Sequence, residues 1–303
     1  MRLPTALANL LPPSLSLTLI GALVTGSFGS SVPTPWESHS SPVFVGAGDI
    51  ASCYDDNDEA TARLLDEIDG TVFTLGDNTY DHGTSTEFAS CYAPTWGRHL
   101  ARTRPSPGNH DYATPEASAY FAYFGERAGD PTQGYYSYDL GEWHIIALNT
   151  NCAEVGGCGE GSNQLAWLRA DLAAHPARCT LAYGHHPRFS SGGHDDANLT
   201  PMWKVLHDGG IDVVLSGHDH TYERFAPQDA AGALDTVSGI RQFVVGTGGA
   251  RHYDFEALRP NSEIRNSDTF GVLMLTLQPT RYVWTFVPIA GAEFSDHGST
   301  ACH

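Results

Sequence analysis

Val72-Phe73-Thr74-Leu75-Gly76-Asp77-Asn78-Thr79-Tyr80 is a short apolar run that stops on a glycine and then presents an aspartate. The run over 72–75 reads as a buried strand, being short, apolar and bounded by turn-forming residues. The same grammar recurs along the chain. Residues 43–47 run into Gly48-Asp49, 143–148 into Asn149, 180–183 into Gly184-His185, and 213–215 into Gly217-His218. Helical spacing lies between these runs. It covers 57–68, with Ala60, Leu64, Leu65 and Ile68 recurring, and a segment to Ala174 that Ser162 would cap. A third helix opens at Thr200-Pro201, with proline in its first turn. Strand-like runs at 242–245, 272–277 and 282–287 follow with no helical pattern between them. Strands alternating with helices predict an α/β layered domain, and the late strands predict some antiparallel or mixed pairing. No repeat or linker breaks the pattern, so one domain over 43–303 is expected. Sites in open α/β sheets form at the carboxyl ends of strands, so the polar residues closing these runs are expected to meet in one crevice.

Five short blocks carry the chemistry. They are Gly48-Asp49, Gly76-Asp77-Asn78-Thr79-Tyr80, Gly108-Asn109-His110-Asp111, Gly184-His185-His186-Pro187 and Gly217-His218-Asp219-His220. Each alone is weak: a Gly-Asp pair is usually a turn and an Asn-His pair usually a loop. Together they supply carboxylates, an amide oxygen and imidazoles, a donor set for hard to borderline cations such as Fe, Mn, Zn or Mg. An aspartate can bridge two cations through its two oxygens. Two cations about 3.5–4 Å apart form a clamp for in-line attack at phosphorus.

The set resembles the calcineurin-like metallophosphoesterase superfamily, and Tyr80 at the end of the second block makes it resemble the purple acid phosphatase branch. The resemblance runs from Val43 to about Arg224. It implies a four-layer α/β/β/α sandwich of two mixed sheets, with a dinuclear metal site at the strand ends. In that reading Asp49, Asp77, Tyr80 and His220 hold a ferric ion, and Asp77 bridges. Asn109, His185 and His218 hold a divalent Fe, Zn or Mn. His110 and His194 are the implied catalytic residues, and with Asn109 they contact the substrate phosphate. His186 is expected behind the ligands, and Asp111 is expected to orient His110. Tyr80 could instead merely pack, in which case two divalent ions would serve. The implied reaction is hydrolysis of small phosphate monoesters, in which hydroxide generated on the cations attacks in line and His110 or His194 protonates the leaving oxygen. Tyr80 and the single-domain size favour monoesters over the alternatives, a phosphodiesterase or nucleotidase with the same core. A non-catalytic metal or phosphate binder is the reading from another class.

The bulk numbers agree with an enzyme of small substrates. The chain has 303 residues, 41% hydrophobic and only 17% charged, enough for a sizeable core. Its net charge of -19 argues against nucleic acid or an anionic membrane as partner. A ferric–divalent pair against two aspartates and a phenolate would leave a local charge of about +2, enough to draw a phosphate dianion into an acidic protein. At the N-terminus, Arg2, the apolar run 15–24 and small residues at 26–31 read as a signal peptide over 1–30. A flexible Pro- and Ser-rich leader would follow over 31–42. The expected location is secreted or periplasmic without stable membrane anchoring, and the oligomeric state is left open. Six cysteines in an oxidising compartment favour disulfides over free buried thiols. Cys152 and Cys158 make a local pair. The connectivity of the other four is open, with Cys53–Cys91 and Cys179–Cys302 as the working pairing. Tyr135, Tyr136 and Tyr138 with Trp143 read as the packed face of a hairpin, and the acidic run from Asp55 to Glu59 as a solvated helix start. His252 and Tyr253, just after Gly246-Thr247-Gly248-Gly249, stand where they could line a pocket mouth.

Overall fold

The computed structural model describes residues 41–303, so the signal-peptide reading and all but the last two leader residues lie outside it. The quoted run is β2 (Thr71–Leu75), and it pairs in parallel with β1 (Val43–Ala47) on one side and β3 (Thr103–Ser106) on the other. Beyond β1 the sheet turns antiparallel, through β11 (Gly271–Gln278), β12 (Arg281–Pro288) and β13 (His297–Ala301). The order is β13-β12-β11-β1-β2-β3. A second sheet contains β4 (Tyr136–Leu140), β5 (Trp143–Ala147), β6 (Cys179–Tyr183), β7 (Val213–Ser216), β8 (Tyr222–Phe225), β9 (Arg241–Val245) and β10 (Ser262–Asn266), in the order β10-β8-β9-β7-β6-β5-β4. Its centre, β5-β6-β7-β9, is parallel, and its edges are antiparallel.

Strand periodicity assigns the two faces of this second sheet. Ile145, Ala147, Leu181, Tyr183, Val213 and Leu215 point into the core shared with the first sheet. Ile146, Ala182 and Val214 point the other way, onto Leu165, Leu168, Met202, Trp203 and Leu206. Those residues come from α4 (Asn163–Ala174) and α5 (Thr200–Asp208). Between the sheets the Phe44 ring meets Phe73 at 4.6 Å and Tyr183 at 5.7 Å. Each such fully buried ring is worth about 1.5–3 kcal/mol. Over the first sheet, α1 (Asn57–Glu67) packs on β11 and buries Ala62 and Leu65. The short helices α2 (Ser85–Glu87) and α3 (Ser118–Phe124) complete that side. The result is two mixed sheets face to face with flanking helices, as expected.

Local predictions fared well where chemistry is local. The Ser162 hydroxyl accepts a hydrogen bond from the Leu165 amide at 3.3 Å, capping α4, and β4–β5 is the tyrosine-lined hairpin. The disulfides are Cys53–Cys91, Cys152–Cys158 and Cys179–Cys302. β3 carries Pro105 and is four residues long, an edge-strand composition with no alternation to reveal it. The acidic run is a correction: α1 starts there, but Asp58 is buried and accepts a hydrogen bond from the Thr95 hydroxyl at 2.6 Å. No described helix is long and apolar enough to cross a membrane.

Candidate metal centre

The parallel strands of both sheets end side by side. The Asp49 amide donates to Gly76 O at 3.1 Å, Gly217 N to His185 O at 2.9 Å, and Gly48 N to Val245 O at 2.9 Å, the last bond joining the two sheets. Asp49, Asp77 and His218 leave their strands with positive φ, at 59°, 49° and 70°. This left-handed backbone costs a non-glycine residue about 1–2 kcal/mol and turns each side chain sharply inward. Neighbouring glycines leave room for the donors. A Cβ on Gly108 would sit 2.1 Å from Asp77 Oδ1, and one on Gly76 would sit 2.6 Å from His185 Nδ1.

The donor atoms fall into two groups. In the first, the Tyr80 hydroxyl lies 2.9 Å from Asp49 Oδ1, 3.0 Å from Asp77 Oδ2 and 3.1 Å from His220 Nε2. In the second, His185 Nε2 lies 3.3 Å from Asp77 Oδ2, 2.9 Å from Asn109 Oδ1 and 3.1 Å from His218 Nδ1. Asp77 Oδ2 belongs to both. The opposite edges of these side chains are pinned by the backbone. His185 Nδ1 lies 2.7 Å from Leu75 O, and His220 Nδ1 lies 2.8 Å from Arg251 O. Asp49 Oδ2 accepts from His218 N at 2.9 Å, and Asp77 Oδ1 accepts from His110 N at 2.8 Å.

This donor set fits a pair of cations. With its Nδ1 proton on Leu75 O, His185 in its neutral, ligating form would turn a lone pair on Nε2 toward an amide oxygen, a carboxylate oxygen and another imidazole nitrogen. Acceptors facing acceptors repel unless positive charge sits among them. The electrostatics register the same demand. Burial alone would push His185 down, but the Asp77 carboxylate outweighs it and lifts the imidazole to about 9. Burial works to raise Asp77, yet the His185 and His110 imidazoles hold it well below the usual carboxylate range. Burial and the neighbouring imidazoles of His185 and His186 push His218 down to about 2, leaving it neutral and able to ligate. Burial next to Asp49 and Asp77 raises the Tyr80 hydroxyl well above its ordinary value, so phenolate ligation asks for a strongly charged cation.

His110 and His194 are the more open histidines, with side chains 36% and 51% exposed against 0% for His185. The His110 ring sits 4.5 Å from Tyr80, and the His194 ring 5.5 Å from His218. Asp111 is a correction. It does not touch the His110 ring, whose Nδ1 meets Asp81 O at 2.6 Å. Its carboxylate instead accepts from Gly108 N at 2.8 Å and Asn78 Nδ2 at 2.9 Å, tying the second block to the third. Burial beside Asp77 raises Asp111 to about 7. His186 lies behind His218, with Nδ1 2.9 Å from the Thr150 hydroxyl. Tyr253, left open by the sequence, packs its ring 4.8 Å from His220 and donates to His218 O at 2.7 Å. The His252 ring stacks on Phe270 at 4.0 Å.

Residues 42–222 match the family model of calcineurin-like phosphoesterases, and the chain belongs to that family. Purple acid phosphatase 15 of Arabidopsis thaliana is 28% identical over an alignment of 215 residues that covers 58% of this chain and 40% of that protein. The chain spans less than half the length of the curated relatives it matches. Among solved structures, purple acid phosphatase PPD1 from yellow lupin (Lupinus luteus) seeds superposes with a TM-score of 0.67 at 18% identity, covering 86% of this chain and 54% of that one. GAP50, the anchor in the inner membrane complex of Plasmodium, has the same TM-score of 0.67 at 13% identity, covering 87% and 90%. At these identities the two structures establish the shared fold.

Proposed function

We propose that this chain is an exported phosphatase of phosphate monoesters with two metal ions. Asp49, Asp77, Tyr80 and His220 would hold a ferric ion, and Asp77, Asn109, His185 and His218 a divalent Fe, Zn or Mn. The observation that carries the reading is Asp77 Oδ2, a single buried oxygen shared by two complete donor groups. When bound, such a pair lowers the pKa of water and neutralises charge on phosphoryl oxygens. The rest falls to the protein's own groups. His110 and His194 each have Nδ1 engaged by an acceptor, so that as imidazolium each has an Nε2 proton to give. One can hold a phosphoryl oxygen while the other protonates the leaving alcohol. Three disulfides support maturation in an oxidising compartment.

The test is a visible spectrum, metal analysis and hydrolysis of mono- and diesters on one sample. A broad charge-transfer band that Tyr80→Phe removes, about two metals per chain and monoester turnover are expected. Turnover without colour would keep the phosphatase and remove the Tyr80–ferric bond. Preference for diesters would transfer the reading to a phosphodiesterase. A metal-loaded protein inactive on both would sink the hydrolase and favour a binding protein like the rival reading.

A further inference from the structure

The two open histidines are held by different acceptors. His110 Nδ1 meets a backbone carbonyl, Asp81 O, at 2.6 Å. His194 Nδ1 meets a carboxylate, Asp219 Oδ1, also at 2.6 Å. Asp219 is fully buried, and among the described residues His194 is its only ion-pair partner. The loop passes directly over that carboxylate because residue 192 is glycine: a Cβ there would lie 2.5 Å from Asp219 Cγ.

The loop backbone has anchors that do not involve the ring. Buried Glu223 accepts from Ser191 N at 2.8 Å and from the Ser191 hydroxyl at 2.6 Å. Glu256 N donates to Ser191 O at 2.9 Å, Arg259 N donates to the Ser191 hydroxyl at 3.0 Å, and Arg259 pairs with Asp195. Asp219 touches the loop backbone as well, Oδ2 accepting from His194 N at 3.4 Å, but Ser191 and Asp195 tie the loop to Glu223, Glu256 and Arg259 without it. Ring orientation depends on Asp219, whose Oδ1 also lies 3.3 Å from the Tyr253 hydroxyl. With Nδ1 committed to Asp219, Nε2 has no hydrogen-bond partner among the described residues.

We infer that Asp219 is a positioning residue that aims His194 Nε2 at the leaving oxygen, making His194 the proton donor and leaving His110 to hold the phosphoryl group. The inference rests on the phosphatase reading. In the step, a water oxygen forms the new bond to phosphorus and its proton passes to solvent. The bond from phosphorus to the ester oxygen breaks with its electron pair on that oxygen. The leaving oxygen takes the Nε2 proton of His194, and the neutral imidazole is reprotonated from solvent. A carboxylate accepts a stronger, charge-assisted hydrogen bond than a carbonyl does, so His194 is the better fixed of the two donors. An orienting carboxylate behind a general-acid imidazole keeps the ring in the required tautomer.

Asp219→Asn, compared on 4-nitrophenyl phosphate and 2-glycerophosphate, tests this. Nitrophenolate leaves without help, whereas an alkoxide needs the proton. The expected loss in kcat on the alkyl ester is on the order of 10²-fold, at least tenfold beyond the loss on the aryl ester, with KM little changed. His194→Ala should reproduce that pattern, and the double variant should be no worse than His194→Ala alone. His110→Ala should lower both substrates alike. Equal losses on the two esters, or additive losses in the double variant, would overturn the inference and assign Asp219 to support of the neighbouring ligands. Should Asp219→Asn fail to fold, His194→Ala decides by itself, because its side chain is half exposed. Wild-type protein that turns over neither ester would sink the phosphatase reading and this inference with it.

Discussion

Two clusters of histidine and aspartate use nearly the same spacings to opposite ends. In the candidate metal centre, donor atoms lie 2.9–3.3 Å apart around His185. At the N-terminal end of β5, His144 lies 2.9 Å from Asp139 Oδ1 and 2.8 Å from Asp171 Oδ2, and the Ser137 hydroxyl donates to Asp171 Oδ1 at 2.6 Å. The second cluster is closed: each imidazole nitrogen can donate to a carboxylate, and the hydroxyl completes the set. In the first, the outer ring nitrogens of His185 and His220 are spent on backbone carbonyls, and the inner ones face other acceptors. Residue types and distances do not separate a cation site from an ion-pair network. The direction of the lone pairs does.

Asp77→Ala should break this comparison most severely, because it removes the one atom both donor groups share. Metal analysis should fall from about two ions per chain to well below one, with hydrolysis down by more than about 10³-fold. Retention of both ions would mean that Asp77 does not bridge. His144→Ala should leave metal content and turnover untouched while costing about 1–3 kcal/mol of stability in a denaturant titration, the penalty for leaving Asp171 Oδ2 unpaired while Ser137 still serves Oδ1. A drop in bound metal would instead make the second cluster a cation site.

Asp58 sharpens the contrast as a buried carboxylate with neither a cation site nor an imidazole. Burial raises it to about 6, against the opposing hydrogen bond from Thr95. Its folded value lies above the unfolded value of about 3.9, so proton binding favours the fold. That contribution is full below about pH 4 and is lost as pH rises through about 6. Asp58→Asn should therefore raise stability by about 1–2 kcal/mol at pH 7.5 and change little at pH 4. Unfolding midpoints at the two pH values check it; an equal gain at both would show that charge is not the cause.

Most candidate ligands carry a local signal, an apolar run, a glycine and a donor within a few residues; Asn109 is the exception, marked only by Gly108 and His110 in a proline-rich stretch. Ser162 and Pro201 marked their helices by the same kind of local chemistry. The hidden elements were those whose logic is not local. β3 is a strand only because β2 offers it an edge, and Asp58 is buried only because Thr95 closes over it. Asp111 shows how a sequence neighbour misleads, since the carboxylate next to His110 serves Gly108 and Asn78.

The sequence by itself determined the principal strands and helices, the donor types and the family, because backbone propensity and side-chain chemistry travel with the residue. Tertiary structure alone decided the rest. It set a strand order unlike chain order, the left-handed turns at Asp49, Asp77 and His218, the sharing of Asp77 Oδ2, and the meeting of His194 with Asp219. These are contacts between residues far apart in the chain. They exist only once two sheets have packed and brought their strand ends to one edge.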